Sequence, residues 1–69
     1  MNPAIKHVLQ YFNYEHLPTH LQDISRDFAT LAIKTANRHP DNPETTVAIR
    51  KLLEAKDAAV RAALTFPEN

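Results

Sequence analysis

The chain has 69 residues, eight Lys/Arg against eight Asp/Glu, and neither cysteine nor glycine. A net charge of zero argues against a general nucleic-acid binder, which is normally basic, and no DNA partner is expected, although a local basic pocket is not excluded. Missing cysteine removes disulfides and thiolate chemistry, and missing glycine disfavours the tight turns of β-hairpins, so an all-β fold is set aside.

Size sets a further limit. A domain this small buries only about 60% of the surface its unfolded chain exposes, and is marginal without a disulfide, a metal or partner subunits. Partner subunits are the expected support. No apolar run approaches the roughly 18 residues that span a bilayer, so no membrane partner is expected. Met1–Gln10 shows no small-residue cleavage pattern, so no signal peptide is expected and the setting read from the sequence is cytoplasmic.

Five prolines, Pro3, Pro18, Pro40, Pro43 and Pro67, punctuate the chain. They divide it into an N-terminal arm, residues 1–17, and a helical hairpin, residues 18–66. Within the arm, Tyr11, Phe12 and Tyr14 are three of the five aromatics in the protein. In an extended segment Phe12 and Tyr14 would point the same way. Such a face is a platform on which a nucleobase stacks; the plainer reading is that these aromatics cap a core.

The first long helix is predicted over 19–38. Thr19 and Gln22 have the spacing of a capping box. Leu21, Ile24, Phe28 and Leu31 form an apolar stripe, with Ala29, Ala32 and Ala36 as a small-residue strip beside it. Pro40 pushes His39 out of the helical region and ends the helix.

The second helix is predicted over 43–64. Asn42 is suited to the N-cap and Pro43 to the first helical position, and Glu44 favours the positive end of the helix dipole. Ile49, Leu52, Leu53, Ala59, Val60, Ala63 and Leu64 give it a wide apolar face, and Pro67 closes it. The short connector makes the two helices antiparallel neighbours. The fold read from the sequence is therefore all-α, an antiparallel two-helix hairpin with an N-terminal arm, assembled into an oligomeric helical bundle. Self-association is expected because the second helix is apolar around more of its circumference than one helix covers. The other outcome is that residues 1–17 fold back, with Ile5, Val8, Leu9 and Phe12 closing a monomeric bundle.

No catalytic constellation stands out, and the protein is read as a non-enzyme. Ser25 is the only serine and has no activating His or Asp pattern. Asp23 with Asp27, and Glu54 with Asp57, have the spacing of solvated helix-surface carboxylates. His16 and His20 are four residues apart, but Pro18 lies between them, and two exposed polar side chains are the expected reading rather than a metal site. No cofactor is expected. The second helix carries Arg50, Lys51, Lys56 and Arg61. Arg50, Glu54, Asp57 and Arg61 share one face, as an ion-pair ladder would, or as phosphate-binding arginines gathered across a subunit interface would.

Three segments, "YFNYEHLP" (11–18), "PDNPETTVAIR" (40–50) and "KLLEAKDAAVRAAL" (51–64), resemble the small phage helical-hairpin domain shared by anti-CBASS and Thoeris anti-defence proteins. The resemblance implies a sponge that binds cyclic dinucleotides, cyclic trinucleotides or cyclic ADP-ribose isomers without cleaving them. It also implies oligomers, commonly hexamers, with pockets between protomers. Tyr14, just before Leu17-Pro18, resembles the family's base-stacking aromatic. Arg61 resembles the arginine that lines a second, cyclic-trinucleotide pocket in some members, and Arg50 and Lys56 follow the basic pattern of that helix. Where some members place a phosphate-binding lysine in the first helix, this chain has Phe28-Ala29, with Arg26 as the nearest substitute.

The reading is thus a phage anti-defence sponge in the cytoplasm of the infected bacterial host. Its ligand is a cyclic nucleotide immune signal, with Phe12, Tyr14, Arg50, Lys56 and Arg61 as the candidate ligand-binding residues. The rival is a small helical interaction module that blocks a host protein, with the aromatic arm as its anchor.

Overall fold

The computed structural model describes residues 1–65. The expected stop at Pro67 and the last residue of the hairpin segment lie outside the described residues. Three α-helices follow one another: α1 (Pro3–Leu9), α2 (Thr19–Arg38) and α3 (Pro43–Thr65), with a short 3-10 turn, Gln10–Phe12, extending α1. There is no strand among the described residues, and no helix among them is long and apolar enough to cross a membrane.

The N-terminal segment is helical and belongs to the core. Asn2 caps α1, its Oδ1 accepting from the Ala4 N–H at 2.7 Å, and Pro3 takes the first turn, where its missing donor costs nothing. The Asn2 N–H also donates to the Pro40 carbonyl at 2.9 Å, which fixes the start of α1 beside the α2–α3 connector. Ile5, Val8 and Phe12 recur at helical spacing and are all buried. The folded-back alternative for residues 1–17 is therefore the arrangement found, with these residues as a third helical element of the bundle.

The core joins Ile5, Val8 and Phe12 to Ala29, Ala32 and Ala36 of α2 and Ile49 of α3. The face that α2 buries differs from the expected stripe. Leu21, Ser25, Ala29, Ala32 and Ala36 are buried, whereas Ile24 and Phe28 are half-buried and Leu31 is exposed. The reason is steric. A helix touched by both α1 and α3 approaches them closely only through small side chains, because interaxial distance follows the bulk at the contact.

The two long helices begin by different devices. At α3 the expected cap is present: Asn42 Oδ1 accepts from the Glu44 N–H at 2.9 Å. Thr45 Oγ1 donates to the His39 carbonyl at 2.8 Å, tying the first turn of α3 to the end of α2. At α2 the capping box does not form. Pro18 occupies the cap and offers no side-chain oxygen, and Thr19 is already helical. Gln22 instead turns back, its Nε2 donating to the Leu17 carbonyl at 2.8 Å.

The α1 segment covers only part of the hairpin. It starts at the connector and ends where Lys56 Nζ donates to the Tyr11 carbonyl at 3.1 Å. The buried residues of α3, Thr45 and Ile49, both lie on the connector side of Lys56. Beyond it, Ala59, Val60 and Ala63 are half-buried and Leu64 is 58% exposed. The molecule has a closed three-helix half and an open two-helix half.

Core substitutions should separate these regions. Ile49→Ala or Ile5→Ala is expected to cost about 2–5 kcal/mol in denaturant unfolding, and Ala32→Leu about 1–3 kcal/mol through overpacking. Leu31→Ala, at a half-exposed position, should cost less than any of these.

Candidate ligand-binding site

An open groove of about 430 Å³ lies between the Leu9–Glu15 segment and Ala29 and Ile33 of α2. Its size falls within the range of small-molecule pockets, and its walls are mainly apolar, as theirs are. Asn13 leaves the 3-10 turn in an extended conformation, φ −62° and ψ 130°, which brings Tyr14 back toward α2. The Leu17 N–H then donates to the Tyr14 carbonyl at 3.0 Å, closing the turn that leads into α2.

Tyr14 is half-buried and forms one wall of the groove. The Arg26 guanidinium carbon lies 5.4 Å from the centre of its ring, within cation–π range. Arg26 also pairs with Asp23 at 3.1 Å. The Tyr14 hydroxyl holds the guanidinium above its ordinary pKa, with desolvation opposing it and Asp23 adding to it. Arg26 is thus a charged group held over the half-buried Tyr14 ring, outside the lining of the groove. A pair of this kind suits a flat base with an attached anion.

The five residues singled out from the sequence do not converge within the chain. Phe12 and Tyr14 both reach the groove, but Phe12 is only 3% exposed and its ring is part of the core. The 3-10 turn rather than an extended chain carries Phe12, so Phe12 points inward and Tyr11 outward, and of the two groove aromatics only Tyr14 is more than marginally exposed. Tyr11 packs edge-on against His7, with ring centres 5.6 Å apart.

Lys56 is committed within the fold. Its ammonium donates to the Tyr11 carbonyl and lies 2.9 Å from Asp57 Oδ1, with only 14% of the side chain exposed. Arg50 and Arg61 are exposed on α3, about 16 Å apart along its axis. The expected ladder between them is replaced by shorter links, since Glu54 pairs with Lys51 at 3.6 Å and Asp57 with Lys56. Neither arginine takes part in an ion pair among the described residues, and neither lines the groove. His16 and His20 are exposed, and among the described residues no three His, Asp or Glu side chains gather as a metal site would require.

Sequence reading missed Gln10, Asn13, Glu15 and Ile33 as groove residues. Their common signal was proximity in sequence to Tyr14 for the first three. Ile33 had none, since it lies off the apolar stripe of α2.

Comparison with family models, with curated proteins and with solved structures finds no match for this chain.

Lys56 offers a direct check on this geometry. Lys56→Met should lower unfolding stability by about 1 kcal/mol or more, through the Tyr11 carbonyl left without its charged donor. Unchanged stability in urea titration would show that the Lys56–Tyr11 tether does not hold in solution.

Proposed function

We propose that this protein is a phage anti-defence sponge, an oligomeric helical domain that sequesters a cyclic nucleotide immune signal, a cyclic di- or trinucleotide or a cyclic ADP-ribose isomer, without cleaving it. The observation that supports this reading is the half-buried Tyr14 ring at the groove with Arg26 held 5.4 Å from its centre. A base stacks on the aromatic ring, and the guanidinium stands ready for a phosphate. The resemblance of residues 11–64 to the phage helical-hairpin domain gives this chemistry its ligand class.

Assembly completes the proposed site. Leu31, Ile33, Val47 and Leu64 are exposed on α2 and α3, and the half of α3 beyond Lys56 has apolar side chains that no third helix covers. Packing of several copies through these faces, in a hexamer as the resemblance implies, buries them. It also lets Arg50 and Arg61 of neighbouring copies approach a ligand that no single protomer surrounds. The infected host's cytoplasm is the place where such a signal is found.

The same exposed apolar side chains, with Tyr11 at 52% exposure, favour a second reading, a helical module that blocks a host protein.

Titration calorimetry against a panel of cyclic nucleotides decides between the two. On the sponge reading one of them binds tightly, and Tyr14→Ala weakens it by about 1–3 kcal/mol, one to two decades of affinity. Tyr14→Phe keeps the ring and loses less. Arg61→Ala costs about 1.5–3 kcal/mol where Arg61 meets a phosphate, and Arg61→Lys restores only part. Light scattering should give a multiple of the 7.8 kDa chain mass. A monomer that binds no cyclic nucleotide contradicts the proposal.

A further inference from the structure

The bulkiest apolar stripe of α2 is not the face that the chain buries. Ile24, Phe28, Leu31 and Thr35 follow at steps of four, three and four residues, so they share one line along the helix. Ile24 and Phe28 are half-buried and Leu31 is 49% exposed, because the core is built on the small residues beside them. Thr35 Oγ1 donates to the Leu31 carbonyl at 2.8 Å, so its hydroxyl is satisfied within the helix and can leave water.

The charges on the outer side of α2 are sorted by sign. Asp23 and Asp27 lie in its first half, Lys34 and Arg38 in its second, and all four are exposed. Asp27 and Lys34 stand two turns apart on the same flank of the apolar stripe. Neither takes part in an ion pair among the described residues, whereas Asp23 is held by Arg26. Within α2 each has only its own sign one turn away, Asp23 for Asp27 and Arg38 for Lys34, and like charges at that spacing are unfavourable.

We infer that α2 pairs antiparallel with α2 of a second copy of this chain, about a two-fold axis between Phe28 and Leu31. Phe28 then packs against Leu31 of the partner subunit, and Ile24 against Thr35 of the partner subunit. In this register the flanking positions of the two helices meet. Asp27 faces Lys34 of the partner subunit, and Lys34 faces Asp27 of the partner subunit. A charge pattern that complements itself when reversed selects a second copy as the occupant of this face, and an isologous contact repeats each pair. Parallel pairing sets like charges against each other and is excluded by the same pattern. The inference rests on the self-association in the proposed function, whose interface it names, and not on the ligand.

The test is charge exchange, read by sedimentation equilibrium at low salt across the micromolar range. Asp27→Lys gives the flank two positive groups and Lys34→Asp gives it two negative ones. Both positions are exposed, so each variant keeps the helical circular dichroism of the parent. Each alone should self-associate about tenfold more weakly than the parent, since two attractive pairs become repulsive. The two variants mixed in equal amounts should associate as tightly as the parent, and so should the double variant carrying both substitutions.

Self-association that both single variants retain in full overturns this interface, and leaves the sponge reading intact with assembly through other faces. A parent that stays monomeric overturns it as well, and leaves the stripe to a different protein. Weakening in the single variants with recovery in the mixture supports the interface, even if no cyclic nucleotide binds, in which case the sponge alone is removed. Weakening without recovery in either the mixture or the double variant overturns the reciprocal pairing.

Discussion

Ser25, Ala29, Ala32 and Ala36 give α2 a buried face with almost no side-chain bulk, and the rest of the molecule depends on what that face admits. Larger residues there would hold the helices apart. With small ones, Ile5, Val8 and Phe12 of the N-terminal segment reach across to the same interior as Ile49 of α3. Three short contributions thereby make one core, in a chain too small to afford two. Ser25 has its Oγ buried without a hydrogen-bond partner among the described residues. Its place in the small-residue face is a matter of size, and the cost of its hydroxyl is set against close packing.

Because α1 with its 3-10 turn ends near Lys56, closure of the bundle is uneven. Toward the connector, the Asn2–Pro40 and Thr45–His39 hydrogen bonds and the buried isoleucines tie all three helices together. Beyond Lys56 two helices remain, with half-buried alanines and valine between them and exposed leucine at the end. The groove and Tyr14 occur where the N-terminal segment leaves the bundle and the chain turns back to start α2. A cleft at such a junction follows from the geometry, since a connecting segment cannot fill the space that a helix vacates.

Much of the architecture was legible because it follows from local rules. Pro40 and Pro43 place the break between the long helices, and Asn42 with Glu44 sets the start of α3 in the way the sequence implies. The choice of buried face on α2 was not legible from periodicity, because Leu21 belongs to both the bulky and the small stripe. Only the number of helices packing on α2 decides between them. Thr19 and Gln22 have capping-box spacing, but one residue of phase, set by Pro18, redirects Gln22 to the Leu17 carbonyl. Tyr14, which lines the groove, stood out in the sequence through its aromatic neighbours. Phe12 lines the groove with its ring carried into the core by the 3-10 turn, and the contact of Lys56 with Tyr11 lay beyond local rules because it joins residues 45 positions apart. Arg26 was visible only as a substitute for a missing lysine, while its position over Tyr14 comes from the turn at 13–18.

The proposed function joins these features in one physical account. A groove with an aromatic wall takes a base, a cation outside it takes a phosphate, and association of the open halves turns weak single-protomer contacts into an enclosed site. Nothing in this arrangement needs a bond to be made or broken. The most direct measurement is recovery of ligand after capture. The purified protein is incubated with cyclic nucleotides, freed of unbound material, heat-denatured, and the released nucleotides are identified by chromatography and mass. The account predicts retention of one cyclic nucleotide and its recovery intact. Recovery of a cleaved product, or no retained nucleotide, would contradict it.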